Sequence, residues 1–163
     1  MPEEWRLSIL VSIFKNKGGV QSCTNYRGIK LMSHTTKLWE RVIEHRLRRM
    51  TSGTKIQFGF MPGRSTMEAI FLVRQLMERC RKQKKDLHMV FIDLEKAYDK
   101  IPQNVLWWVL EKHKVPANYI TLIKYMYDNI VTSVRTSDVD TDDFPIKIGL
   151  HQGSALSPYL LHW

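Results

Sequence analysis

Leu87-His88-Met89-Val90-Phe91-Ile92-Asp93-Leu94-Glu95-Lys96-Ala97-Tyr98-Asp99 is the stretch on which the fold turns. The nearly unbroken apolar run from Leu87 to Ile92 predicts a strand buried on both faces. That strand delivers Asp93 at its carboxyl end, and Glu95 and Asp99 follow where the backbone turns toward a helix. A carboxylate on a buried strand costs several kcal/mol unless it is paired, neutralised or bound to a cation. Carboxylates gathered at a strand end suit a hard divalent ion such as Mg²⁺, which takes oxygen ligands. A helix-capping role for Asp93, or an ion pair with Lys96 or Lys100, fits the same spacing.

On the amino-terminal side, Trp5 to Phe14 carries Leu7, Ile9, Leu10, Val11 and Ile13 and reads as a strand closed by the turn Asn16-Lys17-Gly18-Gly19. A second short strand is expected at Ile29 to Met32. A helix follows from about Thr35 to Met50, with Trp39, Ile43, Leu47 and Met50 on one face. A loop containing Gly53, Gly59 and Gly63 leads to Ser65 and Glu68, which have capping-box spacing. The helix they open carries the stripe Ile70, Val73, Leu76/Met77 and Cys80 and ends in Arg81-Lys82-Gln83-Lys84-Lys85.

Beyond Asp99, Pro102 opens a helix through Val105, Leu106, Val109 and Leu110, and Pro116 precedes another carrying Ile120, Ile123, Tyr127 and Ile130. Val131 to Thr136 and Phe144 to Ile148 read as a strand pair around the acidic turn Asp138-Val139-Asp140-Thr141-Asp142-Asp143. The second strand leads into Gly149-Leu150-His151-Gln152-Gly153 and a helix starting at Ser154. Helices and strands mix without regular alternation, which predicts the α+β class.

The chain has a net charge of +9, unevenly spread. Residues 1–92 hold 18 Lys/Arg against 7 Asp/Glu, and residues 93–163 hold 7 against 9. A polyanion partner for the basic part and a metal for the acidic part would account for this, although an unused solvated face has the same composition. With 44% hydrophobic and 25% charged residues the chain is composed like a globular protein rather than a disordered tail. Its acidic start, Met1-Pro2-Glu3-Glu4, is unlike a signal peptide, and no apolar run is long enough to span a membrane. Cys23 and Cys80 read as free thiols, with no disulfide-linked partner and an intracellular setting, nucleus and cytoplasm being indistinguishable. His34, His45, His88, His113 and His162 show no ligand spacing and read as structural or exposed.

Four segments together resemble one family. FIDLEKAYDKIP (Phe91–Pro102) is similar to the first palm motif of non-LTR, long-interspersed-type reverse transcriptases, and GLHQGSALSP (Gly149–Pro158) to the second. Asn25-Tyr26-Arg27-Gly28-Ile29 resembles the family's fingers motif, and Gln57-Phe58-Gly59-Phe60 with Gly63-Arg64-Ser65-Thr66 resembles the segment between. The resemblance implies a right-hand polymerase fold over residues 1–163, with fingers over about 1–86 and an incomplete palm over about 87–163. It implies an RNA-directed DNA polymerase that moves a nucleotidyl group from a dNTP to a primer 3′-hydroxyl by two-metal chemistry. RNA template, DNA primer, dNTP and Mg²⁺, with Mn²⁺ as a substitute, are the expected partners and cofactors.

Residue by residue, the resemblance makes Asp93 the catalytic metal ligand, helped by the carbonyl oxygen of Leu94. Tyr98 matches the aromatic beneath the incoming sugar, where a ring excludes a 2′-hydroxyl. Arg27 occupies the place of a triphosphate-gripping cation; Lys15 and Lys17 are neighbouring candidates for phosphate contacts, equally readable as solvated surface. Gln152 and Gly153 match the loop supporting the nascent base pair, with His151 beside them. Glu95 and Asp99 are not expected to bind metal, and Ser157-Pro158 sets a structural turn.

The family's third palm motif, an aromatic-x-Asp-Asp hairpin, is not found. The chain's adjacent aspartates, Asp142-Asp143, precede the second palm motif and follow Thr141 where an apolar residue is needed. No thumb is recognised either, the family's long apolar helix does not continue through Leu161-His162-Trp163, and Ser12 stands where relatives commonly carry proline. One carboxylate cannot hold two Mg²⁺ ions against their repulsion and hydration. The chain by itself is therefore expected not to polymerise and to expose apolar palm surface around Leu87–Ile92 that lowers its solubility. The alternative is a catalytically dead remnant that only binds RNA or an RNA/DNA hybrid. An unrelated Mg²⁺-dependent phosphotransferase would need a phosphate-cradling loop, for which Lys17-Gly18-Gly19 is a poor match.

Overall fold

β1 (Leu7–Phe14) and β2 (Tyr26–Leu31) form the antiparallel hairpin from which the sheet grows. The turn between them needs left-handed backbone at Asn16 and at Gly18 (φ 52° and 78°), and Asn25 Nδ2 ties it by donating to the Gly19 carbonyl at 2.8 Å. β3 (Val131–Arg135) lies parallel to β1, and β4 (Phe144–Pro145) is antiparallel to β3, giving the order β2-β1-β3-β4. This computed structural model describes residues 1–51, 56–136 and 139–161. Gly53, Asp138 of the acidic turn and His162 fall outside the described residues.

Two units divide the chain: Met1–Ser52 with Lys96–Trp163, and Gly53–Glu95. The first holds the sheet, α1 (His34–Met50), α3 (Ala97–Lys100), α4 (Gln103–Lys112), α5 (Ala117–Tyr127) and α6 (Ser157–Leu161). Its core is Ile43 and Leu47 of α1, Leu106 and Leu110 of α4, Ile120, Ile123 and Met126 of α5, with Leu150, Leu156, Tyr159 and Leu160. Fully burying a side chain such as Leu110 or Ile123 stabilises the unit by about 1.5–3 kcal/mol. The mixed α+β class is as expected.

Several local readings need correction. On α1 the inward line is Thr36, Glu40, Ile43 and Leu47, whereas Trp39 and Met50 face outward. Trp39 packs at the surface on Trp5, with ring centroids 6.3 Å apart, and Glu40 turns inward because it finds hydrogen-bond donors there. α6 starts at Ser157 rather than Ser154, since Ser154 Oγ accepts from the amides of Leu156 and Ser157, both at 3.1 Å, and so stands before the helix as a cap. β4 covers only Phe144–Pro145, after which one further bond, Ile146 N–H to the Ile130 carbonyl at 3.0 Å, extends the contact.

The second unit contains α2 (Thr66–Lys82) and the segment leading to Glu95. α2 has the expected cap, Ser65 Oγ accepting from Glu68 N, reinforced by an Arg64–Glu68 ion pair. Its apolar stripe is not buried: Ile70, Leu76 and Met77 are nearly half exposed. The strand expected at Leu87–Ile92 is absent. The segment has no regular structure, and Val90, Phe91 and Ile92 are 85%, 84% and 82% exposed. A strand needs a neighbour to take its N–H and C=O groups, and no strand pairs with this run among the described residues. No described helix is long and apolar enough to cross a membrane.

Candidate functional site

The site in the first unit starts at Lys96, whose left-handed backbone (φ 51°) turns the chain into α3. This short helix presents Tyr98 and Asp99 to the second palm motif. Leu150 N–H donates to the Tyr98 carbonyl at 2.6 Å, and Gly149 N–H donates to the Ile101 carbonyl at 2.9 Å. Gly149 is required twice over. Its φ is 88°, and a Cβ there would stand 2.7 Å from the Tyr98 carbonyl oxygen and 2.8 Å from that of Asp99.

The following residues run along β2. Lys30 N–H donates to the Gln152 carbonyl at 2.8 Å. Gly153 (φ 114°) lies so close that a Cβ would sit 2.5 Å from the Lys30 carbonyl oxygen. On the far side of Gly153, the amide of Ala155 donates to Glu40 Oε2 at 2.8 Å. Beside this loop, an open cavity of about 510 Å³ is lined by His34, Lys37, Leu38 and Arg41 of α1 together with Gly153, Ser154 and Ala155.

Charge beneath the loop is buried. Desolvation lowers the Lys30 ammonium to a pKa of about 8, against the pull of nearby Asp99. Burial, with the Lys30 charge adding to it, lowers His151 to about 3, so its imidazole is neutral at physiological pH. His151 Nε2 has no hydrogen-bond partner among the described residues, and its ring lies 5.1 Å from that of Tyr127. Burial also raises Tyr127, whose hydroxyl is 3.3 Å from Ser157 Oγ. Glu40 is raised by burial too, opposed by hydrogen bonds from Ser154, Ala155 and Leu156. Tyr98 is half-buried, and desolvation raises its phenol.

This unit therefore brings Tyr98, His151, Gln152 and Gly153 together with β2. Arg27 lies on β2 opposite Ile13, exposed and without an ion-pair partner among the described residues. Lys15 is engaged locally, its Nζ donating to the Thr24 carbonyl at 3.0 Å, whereas Lys17 is exposed on the turn. His151, which adjoins Gln152 in the motif, is only 3% exposed. Lys30 and Glu40 escaped the sequence reading. Glu40 precedes Ile43 by three positions and Leu47 by seven, the helical spacing of an inward residue, and that signal could have found it.

Asp93 and Leu94 belong to the second unit, and both are exposed. Exposure removes the premise that a buried strand carboxylate demands a cation. Asp93 has no ion-pair partner among the described residues, so its oxygens are open to one. Those residues contain no group of three or more His, Cys, Asp or Glu side chains able to hold a metal.

Residues 14–163 match the family described as "Reverse transcriptase (RNA-dependent DNA polymerase)". Relatives in Drosophila melanogaster include "Probable RNA-directed DNA polymerase from transposon BS", 30% identical over 98% of this chain, and "Probable RNA-directed DNA polymerase from transposon X-element", 28% identical over 98%. A third is "RNA-directed DNA polymerase from mobile element jockey", 26% identical over 98%. The chain spans 18% of the length of each of these three relatives. By this match and by its motifs the chain belongs to the reverse transcriptase family, of the non-LTR retrotransposon type.

Proposed function

We propose that the chain forms fingers, over about residues 1–86, and part of the palm, over about 87–163, of a right-hand polymerase that copies RNA into DNA. In this reading Tyr98 lies beneath the sugar of the incoming dNTP, Gln152 and Gly153 support the nascent base pair, and Arg27 grips the triphosphate, with Lys15 and Lys17 near by. The observation that carries it is a pair of backbone connections: Leu150 to Tyr98 between the two palm motifs, and Lys30, next to the Asn25–Ile29 motif on β2, to Gln152. Asp93, with the Leu94 carbonyl, is the member of the chain suited to Mg²⁺ or Mn²⁺. Such an ion would stabilise charge on the transferring phosphoryl group.

One carboxylate is not a two-metal centre, so this chain alone is expected to bind rather than polymerise. Binding is favoured by the basic cavity beside Gly153, where His34, Lys37 and Arg41 make no ion pair among the described residues. The charges of Lys37 and Arg41 suit the phosphates of an RNA template paired with a DNA primer. The test is primer extension on an RNA template with Mg²⁺ or Mn²⁺, run beside a binding measurement on the same hybrid. Hybrid binding with no extension above an Asp93→Ala control is expected. Extension above that control would overturn the inactive reading, and absence of hybrid binding would overturn the binding one.

A further inference from the structure

Glu40 is 3% exposed on the inward face of α1, where an ionised carboxylate is costly unless donors surround it. Its donors come from 115 residues along the chain: the Ala155 amide at 2.8 Å, with further hydrogen bonds from the Ser154 side chain and the Leu156 backbone. These groups lie immediately beyond Gly153, in the turn that precedes α6. On the other side of Gly153, the Lys30 amide holds the Gln152 carbonyl at 2.8 Å. The loop is thus fixed at both ends, by the backbone of β2 and by one side chain of α1. Between the two anchors Gly153 keeps a conformation with φ 114° that a residue bearing a Cβ could not share with the Lys30 carbonyl.

We propose that Glu40 is a positioning residue, one that holds the Gln152–Gly153 loop against β2 so that its backbone stands where a primer–template base pair rests. A carboxylate suits this task because it accepts several hydrogen bonds and donates none. Glutamine at this place keeps the shape, but its amino group would meet the donors of Ser154, Ala155 or Leu156. The proposal rests on the loop's assignment to the nascent base pair.

The test compares the wild-type chain with Glu40→Gln and Glu40→Asp by amide hydrogen exchange at Lys30 and over 150–157 and by affinity for a DNA primer annealed to an RNA template. In Glu40→Gln, exchange at the amides of Lys30 and Ala155, which donate to Gln152 and Glu40, should accelerate about tenfold or more, and hybrid affinity should fall by about the same factor. Glu40→Asp, which keeps the carboxyl group on a shorter stem, should recover part of both. A residue that merely caps α6 would lower the melting temperature and leave Lys30 exchange and hybrid affinity unchanged; that result overturns the proposal. Exchange at Lys30 and over 150–157 unaffected in Glu40→Gln overturns it as well. If the wild-type chain fails to bind the hybrid, the base-pair assignment falls, while the exchange comparison still decides whether Glu40 holds the loop.

Discussion

The carbonyl oxygen of Tyr98 and the amide of Leu150 meet at 2.6 Å, so the Phe91–Pro102 and Gly149–Pro158 motifs are joined through backbone. Substitutions that keep the main chain in place should leave this junction intact, and those that move it should not. Gly149 is the sensitive point. An alanine Cβ would lie 2.7 Å from the Tyr98 carbonyl oxygen on a residue whose φ is 88°. Gly149→Ala should destabilise the chain by about 2–4 kcal/mol in urea denaturation. Gly19→Ala, with nothing within 4 Å of the new Cβ, should stay within about 0.5 kcal/mol and serves as the control. Equal midpoints for the two variants would contradict the junction.

His151 should make the chain acid-sensitive. The unfolded imidazole takes up a proton near pH 6.5, but the folded one does so only at about pH 3. The unfolded state therefore binds more protons between these values. The contribution is fully present above pH 6.5 and is lost as pH falls toward 3, by up to about 5 kcal/mol. Glu40 acts the other way, because a raised carboxylate pKa gains stability as pH falls. The informative quantity is thus the difference between wild type and His151→Leu, which should change steadily below pH 6.5. Parallel stability curves would show that His151 is not buried as described.

Lys30 predicts a change on the alkaline side. Its folded pKa of about 8 lies below the ordinary 10.5, so the folded state loses its proton first. Burying the charge costs stability below pH 8, and the cost is relieved as pH rises through 8 toward 10.5. Lys30→Met should be more stable than wild type at pH 7 by up to about 3 kcal/mol. That advantage should shrink between pH 8 and 10, before Tyr127, whose pKa is raised, contributes the opposite trend. A constant advantage over that interval would refute the titration.

What the sequence disclosed depended on how far away each cause lay. β1, α4 and α5 were legible because apolar period, turn residues and initiating prolines are local signals. The Ser65 cap of α2 was legible for the same reason. Leu87–Ile92 was misread because composition reports a suitable strand but not the neighbour that must pair with it. Lys30 carries an ordinary surface residue type, and Glu40, though spaced like Ile43 and Leu47, finds its donor at Ala155, more than a hundred positions away. The loop's motif was legible through family resemblance, whereas its supports needed the fold.

The second unit should make the chain associate with itself. Val90, Phe91 and Ile92 expose more than four-fifths of their surface in one continuous apolar segment. Such a patch favours association with other apolar surface. Sedimentation velocity should show wild type self-associating at concentrations where Phe91→Ser/Ile92→Ser is monomeric, with the two melting together. A monodisperse wild-type monomer over the same range would count against this.

Binding of an RNA/DNA hybrid should fall steeply with salt. Each phosphate neutralised releases condensed counterions, so the logarithm of affinity declines against that of salt by roughly 0.7–0.9 per contact. Arg27 is exposed on β2 and unpaired among the described residues, so charge reversal there removes a contact without opening the core. Arg27→Glu should weaken binding at low salt and flatten the slope by about one contact, while Lys15→Ala should change it less because Lys15 Nζ is already held by the Thr24 carbonyl. Affinity measured from low to moderate salt for the three proteins decides the matter. A wild-type slope near zero, or an Arg27→Glu protein with unchanged affinity and slope, would remove hybrid binding by this face.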